Sequence, residues 1–376
     1  MGTDAWRNWN AYDDGKAEIE NVDDELHSDR RFDGGPTTFG PYTLSIFVRS
    51  DRSDAPGRVG PAVRLHVGVH DHLIPDVVVG GQLVKANSDA YHGGDSSDEV
   101  AALVSLALGV RLRVAGTAQM SLIHENNESH TPIYLEVPTL AHPGRPDWES
   151  VPAARTRPAD LTKTGRLATF PNIDEKAQVE LVRAARAYAT GLWWANEDPN
   201  LAWLQLVTAV ETGATYRQKA TAEPTTLVEQ LWPELWSALK PANQPIRAEV
   251  AELLADQIRA TRRFLDFLND LAPEPPEVRP PFGELAWGNM EGHARLIYRH
   301  RSKALHTGKP FPLPMLEEPR TEENGATQEV PYGLNSGGLG GVWDAKEAPM
   351  LLSTFEFIAR GALLAWWDEM ASAPSL

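Results

Sequence analysis

A change of hydrophobic period partway along the chain constrains the fold more than any other feature. Up to about residue 140 the apolar runs are short or alternate with polar residues, over 42–48, 62–69, 75–79, 110–114 and 133–137. Period two marks a strand with one buried face. One continuous apolar run, 100–108, introduced by Ser97 and Glu99, reads as a small helix. Then come Pro138, Pro143, Pro146, Pro152, Pro158 and Pro171. Proline fixes φ and has no backbone N–H to donate, so this stretch favours extended chain. Beyond it, apolar residues recur at helical spacing. The sequence therefore predicts an α+β protein. A mixed domain spans 1–150, a Pro-rich linker 151–172, and an all-α bundle 173–376. Residues 1 to about 35 are acidic, with Asp13-Asp14 and Asp23-Asp24-Glu25, and are expected to be poorly ordered at the very start.

The helical part carries its own punctuation. Asp174 is a predicted cap for a helix bearing Val179, Val182, Ala185, Ala189 and Leu192, ending at Trp193-Trp194. Asp198-Pro199 sets a cap before a proline at the first helical position. The helix that follows turns Trp203, Leu206, Val207 and Val210 toward a core and carries Glu211 on its flank. Further helices are predicted over 226–239 and 245–271, the second amphipathic through Val250, Leu253, Leu254, Ile258, Phe264, Leu265 and Leu268. Pro273, Pro275, Pro276, Pro280 and Pro281 end it and form a stiff connector. Trp232, Trp236 and Trp287 are better read as core residues than as platforms for RNA bases. From 307 to 348 no period is visible, and a long loop is expected, either a lid or a surface excursion.

Composition narrows the function classes. The chain of 376 residues is 42% hydrophobic, enough for two domains with cores. It has no Cys, which removes thiol and disulfide chemistry and fits a reducing compartment. No basic-then-apolar leader opens it, and no apolar run reaches the ~20 residues of a membrane span, so a soluble cytoplasmic protein away from membranes is expected. His66, His70 and His72 share one face of a strand at a spacing zinc uses, yet a fixed fourth ligand is missing. Histidines at a strand rim explain them better, and neither a metal nor another cofactor is expected. Gly-x-Ser-x-Gly is absent. Gly338-x-Gly340 has no strand-turn-helix around it and is not a nucleotide fingerprint.

The chemistry concentrates near Arg301 and His306. Apolar Ala294, Ile297 and Leu305 recur at helical spacing, with Gly308 as the stop. Arg301 falls on that apolar stripe, where a guanidinium needs a carboxylate or a phosphate. Glu211 is the predicted partner. His306 follows about 140° around the helix, on a face shared with Arg295, Arg299 and Ser302. The pair converges only if the helix loosens at its end or a second copy contributes its own pair across a two-fold axis, the route the spacing favours. Arg295, Arg299, Arg301, Lys303 and Lys309, opposed only by Glu291, form a basic island on a chain of net charge −17. Such an island suits a specific phosphate contact and not sequence-blind coating of nucleic acid.

The segment Tyr298-Arg299-His300-Arg301-Ser302-Lys303-Ala304-Leu305-His306-Thr307-Gly308 resembles the Arg-x4–6-His segment of HEPN-domain ribonucleases, in particular the ApeA-like branch of bacterial antiphage proteins. The stretch from Leu201 to Glu211 is similar to an earlier helix of that family, and 349–367 to its closing helix. The resemblance covers roughly the last 200 residues. It implies a helical bundle, a symmetric homodimer with both Arg–His pairs facing one cleft, and metal-independent cleavage of RNA, often in toxins or abortive-infection effectors. Some members are non-catalytic binding modules. On that reading Arg301 and His306 are catalytic, and Glu211 and Ser302 support them. Arg295, Arg299, Lys303 and Lys309 hold the RNA, while the N-terminal domain senses a protein or phage-derived trigger.

Overall fold

The computed structural model describes residues 2–47, 60–71, 78–79, 82–83, 89–122, 158–217, 222–321, 325–332, 335–338 and 340–372. The fold is α+β, an antiparallel sheet with helices followed by a largely helical region. Helix α1 (Asp4–Asp13) leads into β1 (Glu20–Ser28), then β2 (Phe32–Asp33), β3 (Thr37–Phe39), β4 (Tyr42–Ile46) and β5 (Gly60–Val69). The short antiparallel pair β6 (Val78–Val79) and β7 (Gln82–Leu83) precedes α2 (Ser96–Leu108) and β8 (Arg113–Leu122). Five of these strands form one sheet in the order β3-β4-β5-β1-β8.

Within the acidic first 35 residues the chain forms α1 and β1, and β1 is an interior strand of this sheet. Two of its carboxylates find partners on neighbouring elements. Asp23 accepts a 2.8 Å bond from His66 Nδ1, Asp24 accepts from Ser97 Oγ, and Glu25 lies in register with Arg64, while Leu26 is fully buried. An Asx-type box at Asp95 and Asp98 starts α2. Its consecutive residues Val100 to Val104 are all buried, because the helix lies between the sheet and the helical layer. The predicted strand at 133–137 and the prolines from 138 to 152 fall outside the described residues.

From Pro158 onward the expected linker is packed chain. Strand β9 (Ala159–Asp160) pairs parallel with β2, and a 3-10 stretch, Leu161–Asn172, buries Leu161, Leu167 and Phe170. Asp174 caps α3 (Glu175–Trp194) through the amides of Lys176 and Ala177. Asp198 likewise receives the Leu201 amide at the start of α4 (Pro199–Arg217). The helix expected over 226–239 is two, α5 (Pro224–Leu231) and α6 (Pro233–Ala238). Pro233 forces the break, since it disfavours helical backbone at Trp232, which sits at φ −130°, ψ 63°. The one expected over 245–271 divides at Leu254 into α7 (Gln244–Leu253) and α8 (Ala255–Leu271), leaving Leu253 80% exposed and not in the core.

Helix α9 (Met290–Thr307) is followed by the segment expected to be a structureless loop. Here too the structure differs. The segment holds a 3-10 turn at Leu313–Leu316, the hairpin β10 (Asn335–Gly338) and β11 (Gly341–Asp344), and a second 3-10 turn at Ala345–Glu347. Phe311 and Met315 are buried, and the Trp203 ring is stacked between Phe311 at 5.1 Å and Phe355 at 4.8 Å. Glu329, also buried, takes hydrogen bonds from Arg279 and the Leu285 amide. Helix α10 (Leu352–Ser372) closes the chain. The segment Ala345–Ser372 is long and apolar enough by composition to cross a membrane, but 72% of its apolar window is buried in this fold.

The buried side chains form one continuous cluster from Ala5 to Trp367, so sheet and bundle share a core. Arg111 ties them further. Fully buried, it donates to Asp29 at 2.7 Å, to the Leu192 carbonyl and to Asn196.

Candidate active site

Three helices build the surroundings of Arg301. Helix α9 packs on α8 and α4 through Ala294 and Ile297, both buried, which turns Arg301 toward α4. There its Nη2 donates to Glu211 Oε2 at 2.6 Å, the pairing expected from the two apolar faces. Neither group is free in solvent, the side chains being 23% and 20% exposed. Burial raises the Glu211 carboxyl above its usual range, against the opposing pull of Arg301 and of the Tyr298 hydroxyl.

Tyr298 is the member of the group that the sequence reading missed. It stands one turn before Arg301, with its ring 5.7 Å from the guanidinium carbon and 5.1 Å from Phe264. Burial, reinforced by the Glu211 charge, pushes its hydroxyl up to about 12. The signal was available, because i and i+3 side chains on a helix are neighbours. Arg301 Nε is buried without an acceptor among the described residues.

His306 lies elsewhere. The chain stays α-helical through Thr307 and ends on Gly308 at φ +67°, so α9 does not loosen to bring the imidazole round. His306 is exposed, and Leu305, expected on the apolar stripe, is 52% exposed. Ser302 is half-buried, while Arg299, Lys303 and Lys309 are exposed. Arg295 is engaged: it donates to Glu291 at 2.9 Å and to the carbonyls of Gln230 and Leu231 at the end of α5. Within one chain, therefore, a held guanidinium and a free imidazole point to different sides of one helix.

The other histidines of α9 are structural. His300 is buried and donates from Nε2 to the Glu347 carbonyl at 2.7 Å, and burial lowers its pKa. His293 Nε2 reaches the Ala286 carbonyl at 3.0 Å, and burial again lowers its pKa. Of the three histidines expected on one strand face, His66 lies in β5, His70 falls just past its end with Nδ1 2.9 Å from the Lys16 carbonyl, and His72 is outside the described residues. Among the described residues no group of three His, Asp or Glu is placed to hold a metal ion. Trp232, Trp236 and Trp287 are partly buried against the core.

Comparison with protein-family models, curated proteins and solved structures finds no match for this chain.

Proposed function

We propose that the protein is a metal-independent endoribonuclease of the HEPN type, acting in the cytoplasm as an antiphage or toxin-like effector. The observation that carries this reading is the half-buried Arg301, fixed at 2.6 Å by Glu211, on a helix whose open end presents His306. A guanidinium held by one edge keeps other donors for a phosphate. In a symmetric homodimer the imidazole of each copy is brought to the shared cleft. His306 takes the proton of the ribose 2′-OH, and the 2′-oxygen attacks the adjacent phosphorus. Arg301 stabilises the charge that grows on the phosphorane. The imidazolium returns a proton to the leaving 5′-oxygen, a general acid–base contribution of about 10²–10⁴ in rate. Arg299, Lys303 and Lys309 position the RNA backbone. Arg295, bonded to Glu291, contributes less.

The test is cleavage of total RNA in excess EDTA. Wild-type protein is expected to cut, and Arg301→Ala and His306→Ala to lose cutting. Equal cutting by wild type and His306→Ala overturns the proposal. A second reading, a non-catalytic RNA-binding module, draws on the neutralisation of Arg301 by Glu211 within one chain. Labelled RNA retained by the protein but intact after long incubation identifies it.

A further inference from the structure

A cleft of about 250 Å³ opens between α2, the start of β8 and the C-terminal half of α3, far along the chain from Arg301 and His306. Its walls come from both halves of the molecule. Arg113 enters from the sheet; Arg186, Thr190, Trp193 and Trp194 enter from α3; Asp98 enters from α2.

Charge and shape select the occupant. The lining carries two guanidiniums and one carboxylate, a positive excess on a chain of net charge −17. Such a cleft concentrates small anions. Arg113 is exposed and has no carboxylate partner among the described residues, so its donors remain available. Its guanidinium instead stands 5.5 Å from the centre of the Trp193 ring. That contact holds the planar head in place without using its hydrogen bonds.

Arg186 lines the same cleft from α3. It donates to the Gly93 carbonyl at 3.0 Å and lies 3.5 Å from Asp98 Oδ2, too long for a tight ion pair. In the turn before α2 its head lies against Gly94, where a Cβ would come 2.1 Å from Nη1 and 2.6 Å from Asp98 Oδ2, so a side chain at that position displaces both. Trp194, half-buried, also lines the cleft and adds an indole to its wall. Cations for a phosphate next to an aromatic face for a flat ring suit a ligand that carries both groups.

We propose that this cleft binds a small aromatic anion of the nucleoside-monophosphate class, bridging sheet and bundle. The site is independent of the nuclease reading and stands whether or not the protein cuts RNA.

Calorimetric titration of the full-length protein with AMP, GMP, CMP and UMP tests it, with adenosine and inorganic phosphate as separate arms. At least one monophosphate is expected to bind in the submillimolar range, with quenching of tryptophan fluorescence. Adenosine, compared with AMP, and free phosphate are each expected to be weaker by about tenfold or more. Loss of a charged donor in Arg113→Ala is expected to weaken binding about 10–100-fold. Gly94→Ala, whose Cβ displaces the Arg186 head and the Asp98 carboxylate beside it, is expected to weaken it about severalfold. Both variants are exposed-site changes, and unaltered circular dichroism and Tm verify their folds. Failure of all four monophosphates at about 10 mM, or equal binding by wild type and Gly94→Ala and Arg113→Ala, overturns the proposal. Equally tight binding of inorganic phosphate alone also overturns it, since the aromatic face would then play no part.

Discussion

Arg301 is costly where it lies, and Glu211 makes it tolerable. A guanidinium on a buried helix face gains little net stability from one carboxylate, but removing that carboxylate strands the charge. Glu211→Ala is expected to lower stability by about 1–3 kcal/mol, read as a shift in the urea midpoint at unchanged slope. The same variant should lose RNA cleavage, because an unanchored guanidinium no longer meets the phosphate in a fixed pose. His300 makes a separate prediction. Burial lowers its pKa in the folded protein, so the unfolded chain binds the proton more readily. Its contribution is complete above the unfolded value of about 6.5 and is lost as pH falls through the lower folded value. The urea midpoint should therefore drop between about pH 7.5 and 5.5, and drop less in His300→Gln, which keeps a donor for the Glu347 carbonyl. An identical pH dependence in the variant would contradict this.

At the scale of elements, α9 depends on its termination. Gly308 adopts φ +67°, a conformation that costs other residues strain, and it ends the helix one residue after Thr307. Gly308→Ala is expected to destabilise the protein by about 1 kcal/mol and to fray the turn that carries His306, with faster amide exchange over 303–307 as the readout. What the sequence made legible at this scale follows from local chemistry. Asp174 and Asp198 act on the amides just beyond them, and their helices begin where the caps stand. The Arg301–Glu211 contact was readable because Arg301 lies on an apolar stripe and Glu211 on the flank of another. Strand β1 was not readable, because Asp23 and Asp24 find His66 and Ser97 only after the sheet is assembled. The break at Trp232-Pro233 was written in the sequence but outweighed by the apolar period around it. Tyr298 was hidden by its neighbour, since a tyrosine beside charged residues reads as surface until α8 covers it with Phe264.

For the whole molecule, the main surprise is a shared core. The sequence suggested two domains with a proline linker and a free loop, yet the 158–172 and 308–348 stretches bring Phe170, Phe311 and Met315 into one cluster. Long-range packing of this kind leaves no periodic trace, because single large side chains in irregular chain have no period to show. The stretch after His306 is therefore a structural element first. Phe311→Ala, which removes one face of the Trp203 stack, is expected to cost about 3–5 kcal/mol, measured by denaturant unfolding. A change near zero would restore the picture of a detachable lid.

The central claim is that the imidazole of His306 draws a proton from a ribose hydroxyl while Arg301 receives the developing phosphorane charge. Mapping the ends of RNA fragments made in EDTA, from a substrate with and without 2′-deoxy sugars at the cut position, tests it most directly. The account predicts 2′,3′-cyclic phosphate and 5′-hydroxyl ends, and no cut at a deoxy position. Fragments with 5′-phosphate ends, or cutting that persists at the deoxy sugar, would contradict it.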